Sequence, residues 1–180
     1  MKGTQARSRQ ATVIGDSDAP AELCSIAEQV GEMLARLGIT VITGGRGGVM
    51  EAACRGAAKA GGTTVGILPS SEMSDANPWC GVVIPTGLGH ARNVVTVLGG
   101  DFVIALGNSA GTLSEVCLAW IHGKPILTVS GYAGWAQKMG SGLDQRSAST
   151  IIDCGDLELL KEAVIALSDG LPPSGSRAGQ

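Results

Sequence analysis

Residues 39–60, ITVITGGRGGVMEAACRGAAKA, and residues 102–122, FVIALGNSAGTLSEVCLAWIH, repeat one arrangement: a short apolar run, a glycine-rich turn, then a helical pattern. Apolar runs of four or five residues without polar alternation suit strands buried on both faces, as in a parallel sheet sandwiched between helices. Working outward, similar runs fall at 11–14, 64–68, 82–84, 126–129 and 150–152. Helical patterns alternate with them. The first, AELCSIAEQVGEMLARLG, puts Leu23, Ile26, Ala27, Val30, Leu34 and Leu37 on one face, with Pro20 to start it and Gly38 to stop it. Others are expected at 49–60, 91–98, 112–122 and 157–167. A series of this kind predicts an α/β fold: a three-layer, Rossmann-like, doubly wound and mostly parallel sheet with helices on both faces.

The chain has 180 residues, 44% of them hydrophobic, which fits one domain with one well-filled core. That domain is expected over 11–168, between a flexible start (1–10) and a flexible tail (169–180) of disorder-prone composition. Only 3% of residues are aromatic, so the core must be built from Val, Ile, Leu and Ala. A formal net charge of −3 with scattered Lys and Arg argues against nucleic acid as a partner, which calls for a concentrated basic surface. The polar start and strand-sized apolar runs predict neither a leader nor a membrane span, and so a cytoplasmic protein. Five cysteines, widely spaced and without a CxxC pair, suggest neither a disulfide framework nor a zinc site, and no metal is expected. Most should be core residues. Cys80 differs, lying in a polar stretch beside Trp79. The connections 70–80 and 131–149 fit no element, and long loops in compact domains often cover ligand sites.

In an open parallel sheet, ligands bind beyond the carboxyl ends of the strands, so the residues just after each apolar run carry the most information. Four such places stand out: Gly15-Asp16-Ser17; Gly44-Gly45-Arg46-Gly47-Gly48; the segment 86–93, which holds His90, Arg92 and Asn93; and Gly107-Asn108-Ser109-Ala110-Gly111-Thr112. Glycine lets the backbone approach an anion, and the first amides of the next helix have no intrahelical acceptor. One such loop is a tight turn; two in one domain point to a phosphate. Neither matches GxxxxGK[ST], and the dinucleotide GxGxxG is absent after the first strand. Thr112 and Glu115 read first as a capping box, Thr112 capping its helix and Glu115 reaching back to the helix start. The alternative is that Glu115, beside a phosphate-binding loop, faces the ligand as an acid, base or charge stabiliser. Arg92 is a surface residue or a ligand cation on the same rim, and His90 is a weaker candidate.

The ordered set GGRGGVMEAACRGA (44–57), GLGHARN (87–93) and FVIALGNSAGTLSEV (102–116) resembles the LOG-like Rossmann proteins once labelled lysine decarboxylases. Within that superfamily the chain is most similar to the molybdenum cofactor carrier proteins and their bacterial relatives, over about 11–167. The resemblance to carriers implies a protein that holds a phosphorylated ligand, molybdenum cofactor or a nucleotide, without breaking a bond. Gly44, Gly45, Gly47, Gly48, Gly111 and Thr112 would then supply backbone contacts, and Arg46 and Arg92 charge. The LOG enzymes instead release the base from cytokinin nucleoside 5′-monophosphates, and their hallmark is PGGxGTxxE with an upstream arginine–lysine pair. Gly111, Thr112, Glu115 and Arg92 match it here, whereas Gly107-Asn108-Ser109 replaces PGG and Asn93 replaces the lysine. For a phosphoribohydrolase, Glu115 would stabilise the charge developing on ribose or orient water, and Arg92 would position the substrate.

A homo-oligomer built on a dimer is expected, from the resemblance and from a mean hydropathy of +0.24 with only 16% charged residues, which leaves little polar surface for a monomer. Light scattering at micromolar concentration should give at least twice the chain mass; a monomer would contradict it.

Overall fold

The computed structural model describes residues 7–132, 134–138, 143–144 and 149–170; much of the two terminal segments and of the 131–149 connection lies outside them. All seven expected strands form: β1 (Gln10–Gly15), β2 (Thr40–Thr43), β3 (Thr64–Leu68), β4 (Val82–Pro85), β5 (Phe102–Leu106), β6 (Ile126–Thr128) and β7 (Ile151–Asp153). They make one parallel sheet in the order β4-β3-β2-β1-β5-β6-β7. The chain therefore winds one way from β1 to β4, returns to the far side of β1 at β5, and winds the other way. The reversal leaves a crevice at the carboxyl ends of β1 and β5, where connections from adjacent strands diverge.

Among the described residues six helices complete the layers: α1 (Ala21–Arg36), α2 (Val49–Lys59), α3 (Asn93–Gly99), α4 (Ala110–Ile121), α5 (Trp135–Lys138) and α6 (Leu157–Ser168). Alternate side chains of each strand feed opposite faces. Val13, Ile104 and Leu127 pack with Ala27, Val30 and Leu34 of α1, with Ala53 of α2 and with Leu160 of α6. Ile14, Val103, Ala105 and Ile126 pack with Val97 of α3 and Val116, Ala119 and Trp120 of α4. With both faces covered, every residue of β5 is buried, which is why its sequence is one continuous apolar run. Among the described residues no helix is long and apolar enough to cross a membrane.

Two helix boundaries differ from expectation. The segment before α3 makes a 3-10 turn over Gly89–Arg92, so the α-helix starts at Asn93, and α4 starts two residues earlier than its pattern suggests, at Ala110. The 70–80 connection contains a single 3-10 turn, Met73–Asp75.

Helices α1 and α2 pack backbone against backbone through two glycines. A β-carbon at Gly31 would lie 2.0 Å from the Ala53 carbonyl oxygen, and one at Gly56 would lie 1.9 Å from that of Glu28. Around this contact Glu28 accepts from Arg55 (3.0 Å) and Lys59 (2.9 Å), fastening α2 to α1. The close approach fixes where α2 begins, and so where the 44–48 loop lies. In an open helix Gly→Ala gains about 1 kcal/mol. Gly31→Ala should instead cost about 2 kcal/mol, the usual scale of overpacking. Urea unfolding decides the sign, and a stabilised variant would contradict the packing described.

Candidate functional site

Asp16 follows directly on β1 and joins both glycine-rich loops. Its carbonyl oxygen accepts from the Val49 amide at the start of α2 (3.0 Å). Its carboxylate accepts from the amides of Asn108 (3.0 and 3.1 Å) and Ser109 (2.8 Å) and from the Thr112 hydroxyl (2.8 Å). Both loops bend to permit this. Gly48 has φ +63° and Gly107 φ +111°, and a β-carbon on either would strike Asp16. Burial works against ionisation of Asp16, but the backbone amides of Asn108 and Ser109 and the hydroxyls of Thr112 and Ser109 outweigh it and hold the carboxyl below its ordinary range.

The start of α4 differs from the expected capping box. Ser109 is the cap, its hydroxyl accepting from the Thr112 amide at 3.2 Å. Thr112 lies within the first turn. Glu115 is a turn further on and does not reach the helix start. Its carboxylate meets Arg92 at 3.4 Å, with both side chains less than a tenth exposed. The donors left over are the amides of Ala110 and Gly111, which have no acceptor among the described residues.

Arg92 is aimed from the 3-10 turn toward the same point. Its Nη1 donates to Thr96 Oγ1 at 3.2 Å, while its buried Nε finds no acceptor among the described residues. Gly44 makes room for it, since a β-carbon there would lie 2.5 Å from Nη2. Burial lowers the proton affinity of Arg92, Glu115 opposes that, and the nearby Arg46 adds to it. For Glu115, burial pushes the pKa up to about 7 in spite of Arg92.

These groups surround a cleft of about 450 Å³ at the β1/β5 reversal. Of the residues singled out in the sequence, Gly15, Ser17, Arg46, Arg92, Asn93, Ser109, Gly111, Thr112 and Glu115 line it, and so does His90. Gly44 backs Arg92, Gly45 packs on Gly66 and Gly48 backs the Asp16 carbonyl; Asp16, Gly107 and Asn108 line a separate hollow with Tyr132; Gly47 adjoins Ser17; Ala110 lines an adjoining surface hollow. Asn93 also braces α3 against α4, donating to Ser114 Oγ at 2.9 Å. Met50 and Pro69 line the cleft without having been anticipated. Nor was Asn77, whose amide donates to the Gly45 carbonyl (2.9 Å) and whose side chain donates to that of Arg46 (3.0 Å), clamping the 44–48 loop. The one signal for Asn77 was its place in a long connection beside a ligand edge. On the far side, the Trp135 indole of α5 donates to the Asn108 carbonyl at 2.5 Å. Among the described residues, no group of three or more His, Cys, Asp or Glu side chains could hold a metal ion.

Comparison with known proteins gives the family. Residues 8–159 match the SLOG cluster4 family. The chain belongs to that family. An Archaeoglobus fulgidus protein is 41% identical over 120 residues, which span 67% of this SLOG chain and 79% of the relative. The molybdenum cofactor binding protein of Rippkaea orientalis is 36% identical with a TM-score of 0.67, covering 92% of this chain and 88% of its own. The molybdenum cofactor carrier protein of Chlamydomonas reinhardtii is 32% identical with a TM-score of 0.79, covering 91% and 99%. The LOG-like resemblance read from the motifs therefore holds, and so does the Rossmann-like fold.

The buried Glu115 gives the SLOG chain a pH dependence of definite sign. Its folded pKa of about 7 lies above the unfolded value of roughly 4.3, so the unfolded chain releases this proton first. Its contribution to stability should be full below about pH 4.3 and decline until about pH 7. Glu115→Gln should flatten that decline when urea unfolding is compared at about pH 5 and about pH 8. An unchanged decline in the variant would place the titrating group elsewhere.

Proposed function

We propose that the chain binds a phosphate-bearing small molecule in this cleft and carries it intact. Molybdenum cofactor, a phosphorylated pterin, is the ligand the relatives suggest. The observation that supports this most is the pairing of donors: two amides at the start of α4 without an acceptor among the described residues, at the edge of a cleft that Gly111 lines together with Arg46 and Arg92. Helix-start amides and a guanidinium are the groups that phosphate oxygens recognise. The cleft volume of about 450 Å³ suits a ligand of cofactor or nucleotide size. Gly111, Ala110, Thr112, Arg46 and Arg92 would hold the phosphate, with His90, Met50 and Pro69 nearer the rest of the molecule. A cytoplasmic homodimer that hands on a small molecule, with no nucleic acid or membrane as partner, is the setting in which we place it.

A second reading, the nucleoside 5′-monophosphate phosphoribohydrolase, rests on Glu115. A buried carboxyl with a pKa of about 7 at the cleft wall could serve as acid or base near neutrality. Carriage is preferred because Glu115 is engaged by Arg92 and because the sequence departs from the hydrolase pattern at Gly107-Asn108-Ser109 and Asn93.

Two measurements separate the readings. Incubation with adenosine monophosphate should release no free base above background, and Glu115→Gln should leave ligand affinity within about threefold. Gly111→Val tests the location. Gly111 has no positive φ, and the nearest atom to a β-carbon there is Ser109 Oγ at 3.7 Å, so the variant should fold while its side chain fills the space before the amides. Calorimetry should then show affinity for the phosphorylated ligand lowered at least roughly tenfold. Robust hydrolysis that falls by about a hundredfold in Glu115→Gln would establish the enzyme instead.

A further inference from the structure

Behind the 44–48 loop, away from the cleft wall, two cysteines from separate elements face each other. Cys54 on α2 is wholly buried, Cys80 at the end of the 70–80 connection is partly exposed, and their sulfurs are 3.9 Å apart. The space exists because residue 66 is glycine: a β-carbon there would lie 2.6 Å from the Cys80 sulfur. The two thiols differ in surroundings. Thr43 Oγ1 lies 3.4 Å from Cys54 Sγ and already accepts the Gly45 amide at 3.1 Å, so its own hydrogen can point to the sulfur. Hydrogen bonds from Cys80, Thr43 and Asn77 hold the Cys54 thiol below its ordinary range against the effect of burial.

We propose that Cys54 and Cys80 form a redox-active dithiol that closes to a disulfide on reaction with a low-molecular-weight disulfide and so locks the loop carrying Arg46. Cys80 is the sulfur a reagent can reach. The hydrogen bond with Cys54 and burial hold the Cys80 thiol above its ordinary range, so its proton passes to the Cys54 thiolate as the Cys80 sulfur attacks one sulfur of the reagent, breaking the S–S bond, releasing one thiolate and leaving a mixed disulfide on Cys80. Deprotonated Cys54 then attacks the Cys80 sulfur and expels the second thiolate. The two protons lost by the cysteines go to the two released thiolates; the protein gives up two electrons, and the reagent is reduced to two thiols. Closure needs the sulfurs to approach by roughly 2 Å, which the loop position of Cys80 can absorb. The crosslink would tie α2 to the connection whose Asn77 holds the Gly45 and Arg46 carbonyls, and Cys80 itself donates its amide to the Asn77 carbonyl at 3.3 Å. Oxidation therefore fixes the 44–48 loop from behind, whatever ligand the cleft takes.

The test uses the whole chain and oxidised glutathione, read by peptide mapping and amide hydrogen exchange. The wild type should yield a Cys54–Cys80 linked peptide short of two hydrogen atoms, together with slower exchange over 44–48. Cys54→Ser should stop at a stable glutathione adduct on Cys80, and Cys80→Ser should give neither product. The two variants probe different steps, so loss of folding in one leaves the other informative. Wild-type thiols that stay free, a crosslink through Cys24, Cys117 or Cys154, or an adduct confined to another cysteine would overturn the proposal. Because the readout is sulfur chemistry, such a failure leaves the ligand assignment standing.

Discussion

The carboxylate of Asp16 organises the carboxyl edge of this sheet. An anion supplied by the chain itself sits on the amides of Asn108 and Ser109, while its own carbonyl takes the Val49 amide, so the two glycine-rich loops are fixed to the end of β1 and to each other. Hydrogen bonds to a charged acceptor are worth about 1.5–3 kcal/mol each, more than neutral ones. The arrangement also divides the donors of the β5–α4 loop in two. The first amides are used internally, the Thr112 amide is capped by Ser109, and those of Ala110 and Gly111 have no acceptor among the described residues. The loop is thus held rigid by part of its hydrogen-bonding capacity and offers the rest.

Charge placement follows the same division. Arg92 and Glu115 are both buried and close, and in a low-dielectric setting neither charge would be tolerated alone. The pair is not balanced: Arg92 keeps a buried Nε without an acceptor, and Arg46 adds a second cation to the same cleft. Against these two cations the cleft presents one carboxylate, whose own proton affinity is raised by burial. The phosphate proposed as ligand would meet a site short of negative charge, with donors already aimed and little to reorganise on binding.

The fold was largely legible because strands buried on both faces must be continuous apolar runs, as at 102–106, and each glycine turn marked the carboxyl end of a strand. The site was legible as a set of loops, less so in its assignments. Ser109-x-x-Thr112 and Thr112-x-x-Glu115 are both acceptable starts for a helix, and local pattern cannot choose between them. The choice is made by Asp16, 96 residues from Thr112, which takes the Thr112 hydroxyl and leaves Ser109 to cap. Asp16 itself read as a ligand contact because a carboxylate beside a glycine turn looks the same whether it faces inward or outward. Asn77 was marked only by its place in a long connection; its role exists only once β3 returns that connection beside the 44–48 loop. Likewise, nothing local distinguishes Gly31 and Gly56, whose purpose is a contact between two helices, from glycines that merely weaken a helix.

The function proposed for the cleft at the β1/β5 reversal is to hold a phosphorylated molecule and leave it whole. Native mass spectrometry of protein purified from its own host tests this directly, since a pterin cofactor, a nucleotide and a cleaved sugar phosphate differ in mass. The chain should carry one intact phosphorylated ligand, a pterin. A base-free ribose phosphate on the protein, or the mass of the chain alone, would contradict it.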